Sequence, residues 1–281
     1  MPRDSDIIGD KELEIISMLE ELGYKKSLEV VKKLFSRREF KTMHRIVNTF
    51  VVRYLGYNDH GRMHALIVMQ RAIEIFHILR EAGIEPNIVK YKIGDRDDSL
   101  ATILLAAFFH DVGNVVHRDE HRLHSIYLTK DRIKEIIDDV YRYESEDKRM
   151  ALRFHVLNAI YAHDEKVQAF TMEASILKVA DGCDITEGRS RKPYNLGKVD
   201  IHSISALAVK SLKITKGKSP NKPVRIEIDL YNPAGVFQIE EILGKKLESS
   251  LLKNLVEIHV TIEGKEIKLS KFTPPGIQTY P

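Results

Sequence analysis

The stretch that most restricts what this chain can fold into is Leu100 to His121, LATILLAAFFHDVGNVVHRDEH. From Leu100 to Phe109 every residue but Thr102 is apolar, so the helix it forms is buried nearly all round and carries His110 and Asp111 into the interior. An ionised carboxylate taken out of water needs a cation or several hydrogen-bond donors beside it. With an imidazole next to it, a divalent metal is the natural candidate. The His-Asp dipeptide does not single out a site by itself, since it recurs at His163–Asp164. The rest of the chain has to supply the context.

Composition narrows the classes. At 281 residues, with 43% hydrophobic and 30% charged residues, the chain has the balance of a globular protein with room for one large core or two modest ones. A net charge of +3 is too small to argue for a nucleic-acid partner. The single cysteine, Cys183, excludes an internal disulfide and any cysteine-rich zinc module. No apolar run is long enough to span a bilayer, and the opening MPRDSDIIGDKELE lacks the apolar core of a secretion signal. A cytoplasmic protein with no membrane partner is expected.

Helical periodicity dominates the first two thirds. Leu13, Ile16, Leu19 and Leu22 recur at three-residue steps, Leu28, Val31 and Leu34 repeat the pattern, and Met43, Ile46, Val47 and Phe50 follow on a third helix. The turn LGYNDH places Asp59 to cap a helix over His60 to Ala82, on which His64 shares an otherwise apolar stripe with Ile67, Val68 and Ile75. Taken alone, His64 reads as a core histidine bonded to a backbone carbonyl. His60, one turn earlier, belongs at the mouth of any site that His64 lines. Gly83 to Ser99, with its GDRDD cluster, reads as a solvated loop. His117 and His121 stand four apart, which puts both on one face if the segment is helical. Leu152, Val156, Ile160 and His163 form a second apolar stripe that ends in a histidine, and the apolar helix Thr171 to Asp184 delivers Asp181, with Asp184 in a supporting or capping role. Arg189, Arg191 and Lys192 follow immediately, and guanidinium groups suit bidentate phosphate recognition. Beyond Ile201 the pattern turns to alternation: strands at Leu207–Thr215 and Val224–Leu230, an amphipathic helix from Gly235 to Lys253, and a hairpin around Gly264. This region shows no cluster of ligands or nucleophiles, so packing, dimerisation or gating is expected of it.

Buried apolar helices thus end repeatedly in His or Asp. The pieces HGRMHALIV, AAFFHDVGN, HRDEHRLHS, VLNAIYAHD and ILKVADGCD together resemble the HD-domain superfamily of metal-dependent phosphohydrolases, over roughly Asn58 to Arg191. The segment from VLNAIYAHD through EASILKVADGCDITEGRSR is also similar to the HD domain of the endoribonuclease RNase Y, without that enzyme's long coiled coil. The GYP tripeptide of the cyclic-di-GMP phosphodiesterases is absent.

The periodicity and the resemblance together give a mainly α protein: N-terminal helices at 1–57 packed on an HD helical core at 58–200, then a small α/β accessory domain at 201–281. The resemblance implies His64, His110, Asp111 and Asp181 as ligands of a first ion. Asp111 would bridge to a second held by His121 and His163, and His117 would serve as an outer ligand or proton donor. Asp111 would orient a metal-activated water, Arg189, Arg191 and Lys192 would hold the phosphate, and His60 or His117 would protonate the leaving oxygen. A nitrogen and oxygen donor set without thiolates suits one or two ions of Mn, Fe, Co, Ni or Mg. The expected substrate is a nucleotide or related small phosphorylated molecule. RNA or a cyclic nucleotide forms a second class, and a non-catalytic metal-stabilised binding module a third reading. Exposed strand edges make a homo-oligomer plausible.

Overall fold

The computed structural model describes residues 4–186 and 201–269. Three helices open the chain, α1 (Asp4–Leu22), α2 (Lys25–Ser36) and α3 (Arg38–Asn48). In α1, Ile15 and Leu19 are buried, while Leu13 is 65% exposed. A strict three-residue step lags the helix by about 60° each time, so a stripe read that way drifts off the inner face within a few steps. The inner face of α3 is Phe40, His44 and Val47, spaced by four and three, and the expected Ile46 and Phe50 are exposed instead.

The central part is a helical layer of α4 (Arg62–Glu81), the short α5 (Asn87–Lys90), α6 (Arg96–Phe109), α7 (His121–Val140), α8 (Glu146–Ala162) and α9 (Met172–Gly182). Every residue of α6 from Asp98 to Phe109 is buried, and α2, α4, α8 and α9 pack around it. No helix of the described residues is long and apolar enough to cross a membrane.

The charged run before α6 is not the solvated loop that its composition suggests. Asp95 Oδ1 accepts from the Asp98 backbone N–H at 2.8 Å, and Asp98 Oδ2 accepts from that of Asp95 at 2.9 Å. The two carboxylates thereby satisfy donors that a helix start leaves open. Asp98 is wholly buried, with the ammonium groups of Lys26 at 2.9 Å and Lys148 at 3.0 Å.

The C-terminal unit begins with α10 (Ile201–Leu207) and builds a four-stranded sheet from β1 (Val209–Ser219), β2 (Lys222–Leu230), β3 (Val256–Ile262) and β4 (Lys265–Ile267), in that spatial order. β2 runs antiparallel to β1 and parallel to β3, and β4 returns antiparallel. Alternation aims Val224, Ile226, Ile228 and Leu230 inward. The sheet packs on α4, where Arg71 donates to the Leu212 carbonyl at 2.9 Å, and one apolar core runs from the helices into the sheet.

The single helix expected at Gly235–Lys253 runs without a break from 236 to 248, wound more widely at Gln238–Leu243 and continued by α11 (Gly244–Glu248). It stops at Ser249 because that carbonyl accepts from Ala169 N and Lys178 Nζ, both at 2.9 Å, rather than from a further helical turn.

Candidate metal centre

Five helix ends and one turn deliver the polar groups. His64 lies in the first turn of α4, His110 caps α6 and Asp111 follows it; His121 opens α7, His163 caps α8, and Asp181 lies in the last turn of α9. All six are buried. Each imidazole is held by Nδ1: His110 on the Ala107 carbonyl (2.8 Å), His121 on that of Arg118 (3.1 Å), His163 on that of Ile160 (2.6 Å) and His64 on Asp184 Oδ2 (2.6 Å). A ring that donates through Nδ1 keeps its Nε2 lone pair for a metal.

The Nε2 atoms converge in two pairs, His64 with His110 at 3.2 Å and His121 with His163 at 3.0 Å. Two lone pairs at that distance repel unless a cation lies between them. Asp111 stands between the pairs. Its Oδ2 is 3.3 Å from Nε2 of both His64 and His110, and its Oδ1 is 3.5 Å from His121 and 3.7 Å from His163. Asp181 Oδ1 completes the first group at 3.3 Å from His64 and 3.8 Å from His110. Donor atoms ~2.1 Å from one ion are about 3.0–3.4 Å apart, so the first group is close to the edge lengths of a coordination polyhedron. The nitrogen and oxygen set, free of thiolate, fits a divalent ion.

The HD domain family model matches residues 63–186. A protein of Methanocaldococcus jannaschii, itself described as uncharacterized, is 41% identical over 244 residues, which cover 87% of this chain and 92% of the relative. The chain belongs to the HD-domain superfamily. HD domains bind divalent metals and are in general hydrolytic metalloenzymes. No solved structure matches.

Local packing explains how the HD turn holds its shape. Ser125 Oγ accepts from the Gly113 N–H at 2.7 Å and donates to the His110 carbonyl at 2.6 Å. A Cβ on Gly113 would stand 2.0 Å from the His121 carbonyl oxygen, so only glycine lets α7 approach closely enough to bring His121 in. Asn114 Nδ2 donates to Asp111 Oδ1 at 3.0 Å and fixes the carboxylate plane. Burial opposes charge on Asp111, yet the His110 and His60 imidazoles overcome it and hold the carboxyl well below its ordinary range. Burial lowers the pKa of His121 and sends that of His163 far down, which keeps both rings neutral.

Of the other residues expected around the HD centre, His60 comes closer than the mouth of the site: its Nδ1 is 2.6 Å from Asp111 Oδ2. His117 stays apart, with its side chain 66% exposed and its Nδ1 accepting from the Asp119 N–H. Glu120 sits between the two histidines in the left-handed region at φ +57°, so α7 begins only at His121 and the four-residue spacing never becomes a shared helical face. Arg189, Arg191 and Lys192 lie outside the described residues. Asp59 bonds the Gly61 N–H rather than capping α4.

One group beside the HD centre has no counterpart in the sequence reading. Lys246, on α11 of the C-terminal unit, donates to Asp181 Oδ2 at 2.5 Å and to the His163 carbonyl at 2.9 Å. Burial opposes charge on Asp181, but the Lys246 ammonium and the His64 bond hold it well below the ordinary range. The C-terminal unit was expected to lack chemistry; nothing in GKKLE distinguishes this lysine from its solvated neighbour Lys245.

Proposed function

We propose that this HD domain hydrolyses a phosphate ester, with a nucleotide or related small phosphorylated molecule as substrate. The supporting observation is the two-sided Asp111 carboxylate, one oxygen toward His64 and His110 and the other toward His121 and His163. A purely structural ion would need only one such group. A bound divalent ion would supply a water acidic enough to be deprotonated near neutrality and would neutralise phosphoryl oxygens.

The chain's own residues do the rest. His64, His110, Asp111 and Asp181 would hold the first ion, with His121 and His163 available to a second. Asp111 orients the attacking oxygen and is itself kept in plane by Asn114. His60, held through Nδ1 by Asp111 Oδ2, would protonate the leaving oxygen from its other ring nitrogen, Nε2. Phe108 near the end of α6 and Val112 in the turn after it line a narrow cleft together with His44, His60, His64, His110 and Asp111. Arg189, Arg191 and Lys192 keep the phosphate-holding role that the sequence suggests.

The test is phosphate or nucleotide release from a panel of nucleoside mono-, di- and triphosphates, cyclic nucleotides and short RNA, with Mn²⁺, Ni²⁺ or Mg²⁺. Turnover by the native chain is expected, with at least a ~100-fold loss in Asp111→Ala and unchanged helical circular dichroism. An active Asp111→Ala variant would overturn the mechanism. Tight metal binding without turnover of any substrate would instead favour a metal-stabilised binding module.

A further inference from the structure

Asp181 offers one oxygen to the histidines and the other to Lys246. Oδ1 lies 3.3 Å from His64 Nε2 and Oδ2 lies 2.5 Å from Lys246 Nζ. A carboxylate engaged in this way is locked in rotation about its terminal bond, and its two oxygens are no longer equivalent. Lys246 is itself immobilised: it is 8% exposed, and its second bond, to the His163 carbonyl, ties it to the end of α8.

The seat for this lysine is built into α9. A Cβ on Gly182 would lie 3.1 Å from Lys246 Cδ and 3.3 Å from Leu243 Cδ1, so any larger residue beside Asp181 would press on the lysine stem. A second set of bonds docks the same segment of the C-terminal unit onto α9 without touching the HD centre. Lys178 Nζ donates to the Val167 carbonyl and to Ser249 O and Oγ, and Leu251 N–H donates to Ser175 Oγ at 3.0 Å. Docking is therefore served by Lys178 and Ser175, and the Lys246 ammonium is aimed at a candidate ligand.

We infer that Lys246 is a positioning residue of the metal centre: by occupying Asp181 Oδ2 it leaves Oδ1 as the single oxygen presented to the ion, so the C-terminal α/β unit completes a site otherwise made by the HD helices. This rests on the reading of Asp181 as a ligand. The ammonium also offsets part of the negative charge that Asp111, Asp181 and Asp184 concentrate in one buried place.

The experiment compares Lys246→Met, Lys246→Arg and Lys178→Met in the full chain. It reads Mn²⁺ affinity and the visible absorption of bound Co²⁺, with circular dichroism to establish folding. Lys246→Met is expected to weaken Mn²⁺ binding about 10- to 100-fold, the range found when a partner of a metal ligand is removed, and to shift the Co²⁺ spectrum. Lys246→Arg should recover part of the affinity. Lys178→Met should leave both readouts unchanged in the folded protein. Native affinity and spectrum in a folded Lys246→Met chain would overturn the inference, and so would equal losses in Lys246→Met and Lys178→Met, because docking alone would then account for them. Because no readout is turnover, a native chain that binds Mn²⁺ but hydrolyses nothing would defeat the phosphohydrolase reading and leave this one standing. A native chain that binds no divalent ion would defeat both.

Discussion

At the residue scale, burial makes a histidine on α3 as resistant to protonation as those of the metal centre. His44, on the inner face of α3, is 3% exposed and rests against the Phe108 ring at 4.5 Å. Burial, and then the nearby Arg62 guanidinium, push its pKa from 6.5 down to about 3. The unfolded chain takes up this proton first as pH falls. The stability tied to a neutral His44 is therefore complete above pH 6.5 and is lost between there and about 3, at about 1.4 kcal/mol per pH unit. Asp111 and Asp181, both depressed, add to acid instability only below their ordinary value of 3.8. Urea unfolding of the metal-free protein from pH 7.5 to 4 should show the His44→Leu variant losing less stability per pH unit than the native chain; parallel curves would contradict this. At this scale the sequence exposed His64, His110, His163 and Asp181 because each stands on or at the end of a buried apolar stripe, a pattern chemistry rarely tolerates without a partner; His121 came only from its spacing to His117 and the family resemblance. His44 sat at the same kind of spacing, between Phe40 and Val47, but no second acid or histidine stood near it in the chain. Lys246 was illegible for the opposite reason: a lysine in a charged segment reads as solvated until the tertiary partner is known.

Among the elements, α6 shows how local and long-range terms share one residue. Asp98 completes the helix start with Asp95 and receives both Lys26 of α2 and Lys148 of α8. Asp98→Ala would remove a cap and leave two partly buried ammonium groups facing an apolar helix. It should cost about 3 kcal/mol, less than a fully buried pair because both lysines keep some solvent. Chemical denaturation at pH 7 reads that value directly, and a loss below about 0.5 kcal/mol, the level of an ordinary surface change, would refute the role assigned to Asp98. Composition marked GDRDD as a loop because acidic runs are usually solvated. The capping pattern was present in the same letters, Asp95 and Asp98 three apart. Hydrophobic period located the long helices well, since burial on one face is what creates that period. It overran the end of the helix expected at Gly235–Lys253, where the bonds that end α11 come from Ala169 and Lys178, far away in sequence.

The whole molecule is one core that couples the HD helices to the sheet through α4 and α9, so a ligand that binds only the folded centre stabilises everything. An ion at 100 times its dissociation constant adds about 2.7 kcal/mol, which for a chain of this size raises Tm by about 5–10 °C. Chelation should reverse that shift, and Asp111→Ala should abolish it; a Tm indifferent to Mn²⁺ and to chelator would mean that the convergent histidines hold no ion. The two-part organisation was readable from the change of periodicity near Ile201. The way the parts share a site was not, because it depends on a contact between residues 65 apart. That separation has a consequence in time. A ribosome adding about 5–20 residues per second makes Asp181 about 3–13 s before Lys246. During synthesis Asp181 thus emerges without its lysine partner, an interval in which a divalent ion from the surrounding fluid can enter before the α/β unit closes against the HD helices.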